Sequence, residues 1–229
     1  MQAYVYEQPR VLDEALFADH LDPARTAVVS IDLHRGHLDP SPDCPCPAPR
    51  ARELVLPVDQ FHDQARALGV PIVHVRSVLR PGGADDVRGI PAAWRRTFPL
   101  HVGPIPNAEG HALEGSPWTE WCTRVEPQDL RVDSKRRLSA FEPTDLDFLL
   151  RNQRIDTVVF NGGFTDCCVL NSAFDANNRC YRVIVLRDLV RGTDAHLESA
   201  ALSMVSLHLG LVLDSAELLR LWAARRAAQ

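Results

Sequence analysis

The sequence predicts an α/β fold: three layers, doubly wound, with a mostly parallel sheet and helices on both faces. Two observations carry that expectation. Short β-branched runs ending at polar residues alternate with longer amphipathic stretches, and the clearest runs are apolar throughout, as strands buried on both faces are. A chain of 229 residues is long enough to bury the core of one such domain, taken here as residues 1–229.

Thr26 to Ile31 reads as a buried strand ending at Asp32. Arg50 to Leu68 has helical periodicity and stops at Gly69, and Val70 to Val75 is a second strand. Leu130 to Asp133 forms a short strand before Lys135, and Thr144 caps a helix running to Leu150. Asp156 to Phe160 is a strand, Cys167 to Asn178 a helix, and Arg182 to Leu186 the next strand. Ala195 to Leu209, Leu211 to Leu213 and Ser215 to Arg225 complete the alternation as helix, strand and helix. The segment from about 79 to 129 breaks this rhythm. It is rich in Pro, Gly and Trp, holds Trp94, Trp118 and Trp121, and reads as an irregular insert. A lid over a pocket and an arm packing on another subunit both fit it.

Bulk properties exclude several function classes. A net charge of -5 gives no basic face for nucleic acid. No apolar run approaches the ~20 residues of a membrane span, and Met1 to Pro9 lacks the regions of a signal peptide. The expected location is the cytoplasm. Six cysteines in a chain of this length are no disulfide framework. Cys44 and Cys46 form a C-x-C pair in a proline-rich stretch that reads as a mobile surface loop rather than half a zinc site. Cys122 and Cys180 read as ordinary buried or half-buried thiols.

Ligands of a doubly wound sheet bind beyond the carboxyl ends of its strands. Asp32 ends one strand there, and the turn Asn161-Gly162-Gly163-Phe164-Thr165-Asp166-Cys167-Cys168-Val169 ends another. A helix start offers unpaired N–H groups and partial positive charge, which lowers a thiol's pKa and can hold an oxyanion. Cys168 is the candidate nucleophile, Asp32 the general base, and Lys135 a cation supporting both. Each residue alone has an ordinary reading: a core cysteine, a turn-capping aspartate, and a lysine on a solvated face beside Arg136 and Arg137.

Three segments, Val28-Val29-Ser30-Ile31-Asp32, Lys135-Arg136-Arg137-Leu138-Ser139-Ala140-Phe141 and Gly162 to Val169, resemble in order and spacing the signature blocks of the isochorismatase-like cysteine hydrolases. Similarity extends over roughly residues 25 to 215. The resemblance implies the catalytic set Asp32, Lys135 and Cys168, with Cys167 at the variable position before the nucleophile. It also implies a cis peptide at Gly163–Phe164 and an oxyanion hole from the N–H groups of Phe164 and Cys168. Members with this cysteine cleave C–N bonds of small amides and ureides through a thioester, so amidohydrolase activity is expected. Vinyl-ether hydrolysis of the isochorismatase type and a non-catalytic oligomeric binding protein are the alternatives. The resemblance and the long Trp-rich insert together imply a homodimer or homotetramer acting on a small molecule, and the charge and apolar-run lengths above argue against nucleic-acid or membrane partners.

Departures bear on substrate. Nicotinamidases carry Asp-x-His after the second strand, where this chain has His74-Val75-Arg76-Ser77-Val78-Leu79-Arg80. His34 and His37 stand three apart with no third ligand apparent, so neither metal nor cofactor is expected. His37, Arg76, Trp94, Trp118, Phe141 and His208 are the candidate substrate-contacting residues. Arg35 and Arg80 join Arg76 as possible carboxylate clamps, against surface salt bridging as their ordinary role.

Overall fold

The structure is a computed structural model that describes residues 1–86 and 90–227. Residues 87–89 of the insert and the last two of the chain lie outside the described residues. Eight strands form one sheet: β1 (Gln2–Val5), β2 (Gln8–Val11), β3 (Thr26–Ile31), β4 (Ile72–Ser77), β5 (Leu130–Lys135), β6 (Thr157–Gly163), β7 (Arg182–Arg191) and β8 (Gly210–Leu213). Their order is β2-β1-β8-β7-β6-β3-β4-β5. β3 through β8 pair in parallel, while β1 pairs antiparallel with both β2 and β8. The chain winds outward from β3 to β5, then returns to the other side of β3 to lay down β6, β7 and β8. β3 and β6 are therefore the neighbours at which winding direction reverses, and a crevice opens beyond their carboxyl ends.

Side-chain alternation along the buried strands builds two cores. Val28, Val159, Ile184 and Leu211 point to one face, against α2 (Val55–Ala67) and α7 (Ser215–Ala227) through Phe61, Leu218 and Trp222. Val29, Val158, Phe160 and Val185 point to the other, against α4 (Leu146–Asn152), α5 (Leu170–Asn178) and α6 (Ala195–Met204). Each fully buried Leu, Ile or Phe contributes roughly 1.5–3 kcal/mol. This is the three-layer arrangement the apolar runs predict.

Several boundaries move. The β1–β2 hairpin and the short helix α1 (Arg35–Leu38) carry no clear periodicity and were not expected. β6 extends through both glycines, and β5 ends at Lys135 itself, because strand pairing continues past the last apolar residue. The insert is not wholly irregular: α3 (Trp94–Val102) forms despite Pro99 inside it. The stretch around Cys44 and Cys46 is not a surface loop. Both cysteines are buried, with Cys46 N–H donating to Gly36 O and Ala48 N–H to His37 O. Cys180 is exposed rather than buried. No helix of the described residues is long and apolar enough to cross a membrane.

Gly162 is required by the β3–β6 contact. Its φ is +106°, and a Cβ there would lie 2.1 Å from Ile31 O. Gly162→Ala is expected to destabilise the fold by about 3 kcal/mol, since both the dihedral and the strand spacing oppose it. A urea-unfolding midpoint close to that of the unsubstituted protein would contradict this.

Candidate active site

β3 delivers Asp32 to the crevice. Its N–H still donates to Val75 O at 2.8 Å, but its φ of 54° turns the carboxylate out of the strand line, a conformation Asp tolerates better than most residues. Two strands away, Lys135 closes β5 with its side chain 1% exposed. β6 then enters a wide helical turn at Thr165–Val169, in which Val169 N–H reaches Phe164 O, and α5 continues from it. That turn presents Cys168. The Gly163–Phe164 peptide is cis, as the motif implies.

Lys135 joins the three elements. Its Nζ donates to Asp32 Oδ2 at 2.5 Å, to Ser77 Oγ at 2.9 Å and to Cys168 Sγ at 3.3 Å. Asp32 Oδ1 accepts from Ser77 N–H at 2.8 Å and from Ser77 Oγ at 3.1 Å. Ser77 thus binds both members of the ion pair. Sequence reasoning missed it, because a serine ending a buried strand carries no signal of its own. Ser172, one turn along α5, accepts from Ala140 N–H at 2.9 Å and donates to Cys168 O at 2.6 Å, tying the lysine-bearing segment to the cysteine turn. Asp166 fixes the other side by accepting from Thr193 N–H and Oγ1.

Burial opposes ionisation of Asp32, but the charge of Lys135 and the hydrogen bond from it outweigh that and hold the carboxyl well below its usual range. Burial would likewise discharge Lys135. The charge of Asp32 and its hydrogen bond outweigh that and raise the ammonium above its ordinary value. The sulfur behaves otherwise than its helix start predicts. Hydrogen bonding to Cys167 Sγ, 4.0 Å away, and burial together push the Cys168 thiol well up, with Lys135 opposing them. Asp32 adds to this by neutralising the ammonium, which leaves little net positive charge for a thiolate. Burial therefore favours the neutral thiol beside this carboxylate–ammonium pair.

A cavity of about 920 Å³ opens over these groups. Ser77, Lys135, Phe164, Cys167 and Cys168 line its floor, and Trp94, Phe98 and His111 of the insert form part of its wall. Of the predicted substrate-contacting residues, His37 and Trp94 reach it. The other four do not. Arg76 is spent on Asp133 Oδ1 at 2.6 Å, on Thr119 O and on the Trp121 ring. Trp118 lies away from it beside Arg35, its carbonyl 2.9 Å from His34 Nδ1. Phe141 is buried in the core against Tyr181, and His208 is exposed on the turn after α6. Arg35 pairs with Asp39 and Glu120, and Arg80 with Asp85, so ordinary salt bridging is what engages them.

Histidines cluster at this wall, with His37 and His111 lining it and His34 buried behind them. The rings of His34 and His37 are 4.6 Å apart, and those of His37 and His111 are 4.9 Å apart. Burial lowers all three, His34 to about 3, so they are neutral near pH 7. His37, Cys46 and His111 each offer a potential ligand atom within 4.8 Å of the others, the one such group of three among the described residues. The sequence showed no third ligand near His34 and His37, because Cys46 and His111 are supplied by separate loops.

Residues 26–217, most of the chain, match the family model described as the Isochorismatase domain. The chain belongs to the isochorismatase family. Among curated relatives it is 30% identical over 168 residues to an N-carbamoylsarcosine amidase of an Arthrobacter species, covering 72% of this chain and 59% of that protein. It is 32% identical over 175 residues to maleamate amidohydrolase of Pseudomonas putida, covering 75% and 76%. The chain thus spans less than two thirds of the first relative's length. Among solved isochorismatase-like folds, a cysteine hydrolase from Pseudomonas syringae superposes with a TM-score of 0.78 at 25% identity, covering 90% of this chain and 95% of that one.

Proposed function

We propose that this protein is a cysteine-dependent amidohydrolase that cleaves a C–N bond of a small amide or ureide through a thioester on Cys168. The reaction class is hydrolysis of a carbon–nitrogen bond other than a peptide bond. One observation carries the reading: a single buried ammonium, that of Lys135, contacts both the Asp32 carboxylate and the Cys168 sulfur at the floor of a cavity. The names of the amidase and amidohydrolase relatives support the same class of reaction.

The proposed path begins with attack of Cys168 Sγ on the carbonyl carbon. The thiol proton passes to Asp32 as the C–S bond forms, which suits a neutral thiol, favoured by burial, beside a charged carboxylate. The tetrahedral oxyanion accepts hydrogen bonds from the N–H groups of Phe164 and Cys168. Collapse breaks the C–N bond, and the leaving nitrogen takes its proton from Asp32. Water then adds to the thioester, delivering a proton to Asp32, and breaking the C–S bond returns that proton to sulfur. Lys135 stays charged throughout, holding the carboxylate and balancing charge that gathers on sulfur.

A coupled ammonia-release screen over simple amides, biuret, carbamoyl amino acids and nicotinamide tests the reading. Release is expected from at least one, with turnover of Asp32→Asn lower by the roughly 10²–10⁴-fold that an acid–base group supplies. No release from any, or an unaffected Asp32→Asn variant, would sink it.

A further inference from the structure

The cluster in the cavity wall that the reaction path leaves unused is His37, Cys46 and His111. His37 lies in α1, Cys46 in the proline-rich loop behind it, and His111 in the insert. All three are buried, and all three line the cavity that holds Cys168. We propose that His37, Cys46 and His111 form a binding site for a late first-row divalent cation, Zn²⁺ by its donor chemistry.

Three independent features point to a cation. His37 Nδ1 lies 2.8 Å from Cys46 O, so that Nδ1–H donates to the carbonyl and Nε2 keeps its lone pair. That backbone partner is the kind that orients a metal-ligating imidazole. His111 Nδ1 is buried without any hydrogen-bond partner, a state that costs about 1–3 kcal/mol and that ligation of the ring would help offset. The Cys46 loop is held to α1 by two backbone hydrogen bonds, Cys46 N–H to Gly36 O at 3.1 Å and Ala48 N–H to His37 O at 2.8 Å. Pro45 and Pro47 flank Cys46 and restrict it further. The cysteine is thus positioned by the backbone before any ion arrives.

Donor type selects the ion. Two imidazoles and a thiolate suit zinc and its neighbours and exclude calcium and magnesium, which take oxygen ligands. Zinc bonds of about 2.0–2.3 Å place tetrahedral ligands roughly 3.3–3.8 Å apart, so atoms now within 4.8 Å of one another need to close by about 1.5 Å at most. Three protein ligands leave one coordination position, open to the cavity. The cation would carry one net positive charge after Cys46 is deprotonated, in a wall where Asp32 and Lys135 already balance each other.

The test uses the full chain loaded with Co²⁺ in place of Zn²⁺, so that a thiolate-to-cobalt charge-transfer band reports the Cys46 bond directly. One equivalent should bind, with the band present in the wild type and in Cys168→Ser but absent in Cys46→Ser. Competition with a chromophoric chelator should show Zn²⁺ affinity falling about 10²-fold or more in both Cys46→Ser and His111→Ala. Circular dichroism identifies folded variants, and if Cys46→Ser does not fold, His111→Ala and His37→Ala carry the comparison. A wild type that binds neither ion, or a band that survives in Cys46→Ser or vanishes only in Cys168→Ser, would overturn the proposal. The metal readout does not depend on turnover, so failure of the amidohydrolase reading and failure of this one are separable.

Discussion

Cys168→Ser should lower kcat for ammonia release by about 10⁴-fold or more, while its thermal melt stays within a few degrees of the wild type's. The substitution removes one polarisable atom from a site that is 6% exposed and keeps the shape of the side chain. Lys135 retains Asp32 and Ser77 as partners, so little of the fold is disturbed. A serine hydroxyl is a far weaker acid than the thiol it replaces, and Asp32, held well below its usual pKa, is a weak base. Intact-mass measurement on acid-quenched turnover mixtures gives the second reading: an acyl adduct on the wild type, absent in the variant. Turnover within tenfold of the wild type would remove Cys168 from its role.

Lys135→Met should cost about 3–5 kcal/mol of stability at pH 7, since it leaves the Asp32 carboxylate buried without its counter-ion. Methionine keeps much of the stem's volume, so the loss isolates the charge. In the wild type, the depressed Asp32 contributes stability that is present above its unfolded pKa near 3.8 and lost as pH falls through the folded value. The raised Lys135 contributes stability present below its unfolded pKa near 10.5 and lost as pH climbs through the folded value. Between those limits the pair contributes in full. Without Lys135, burial raises Asp32 instead, the folded state takes up a proton more readily than the unfolded one, and stability falls as pH rises. The gap between wild type and variant should therefore narrow from pH 8 towards pH 4. Urea unfolding at several pH values measures it, and a gap under 1 kcal/mol or one independent of pH would refute the argument.

The proposed reacting groups were legible in the sequence because each sits at an abrupt change of local pattern. An apolar run stops at Asp32, and two glycines interrupt a strand before Cys168. Lys135 was weaker on its own, since Arg136 and Arg137 beside it suggested a solvated face. What turns it inward is β5 pairing on to Ser77↔Lys135, a register that propensity does not reveal. The substrate-contacting candidates fared worse for a related reason. Arg76 sits on a strand next to the site, yet its guanidinium pairs with Asp133 and lies over the Trp121 ring, and it does not line the cavity. Phe141 belongs to the lysine motif but packs into the core against Tyr181.

By itself the sequence determined the α/β class, the alternation of strands with helices, the isochorismatase resemblance and the identity of the three central residues. Those properties depend on local periodicity and on motif spacing, both written along the chain. Only the tertiary structure decided that one ammonium touches sulfur and carboxylate together, that burial opposes ionisation of the sulfur, and that His37, Cys46 and His111 meet. Such properties depend on distance and burial among segments tens of residues apart, and solvent exclusion, which sets a buried group's charge, exists only once those segments have packed.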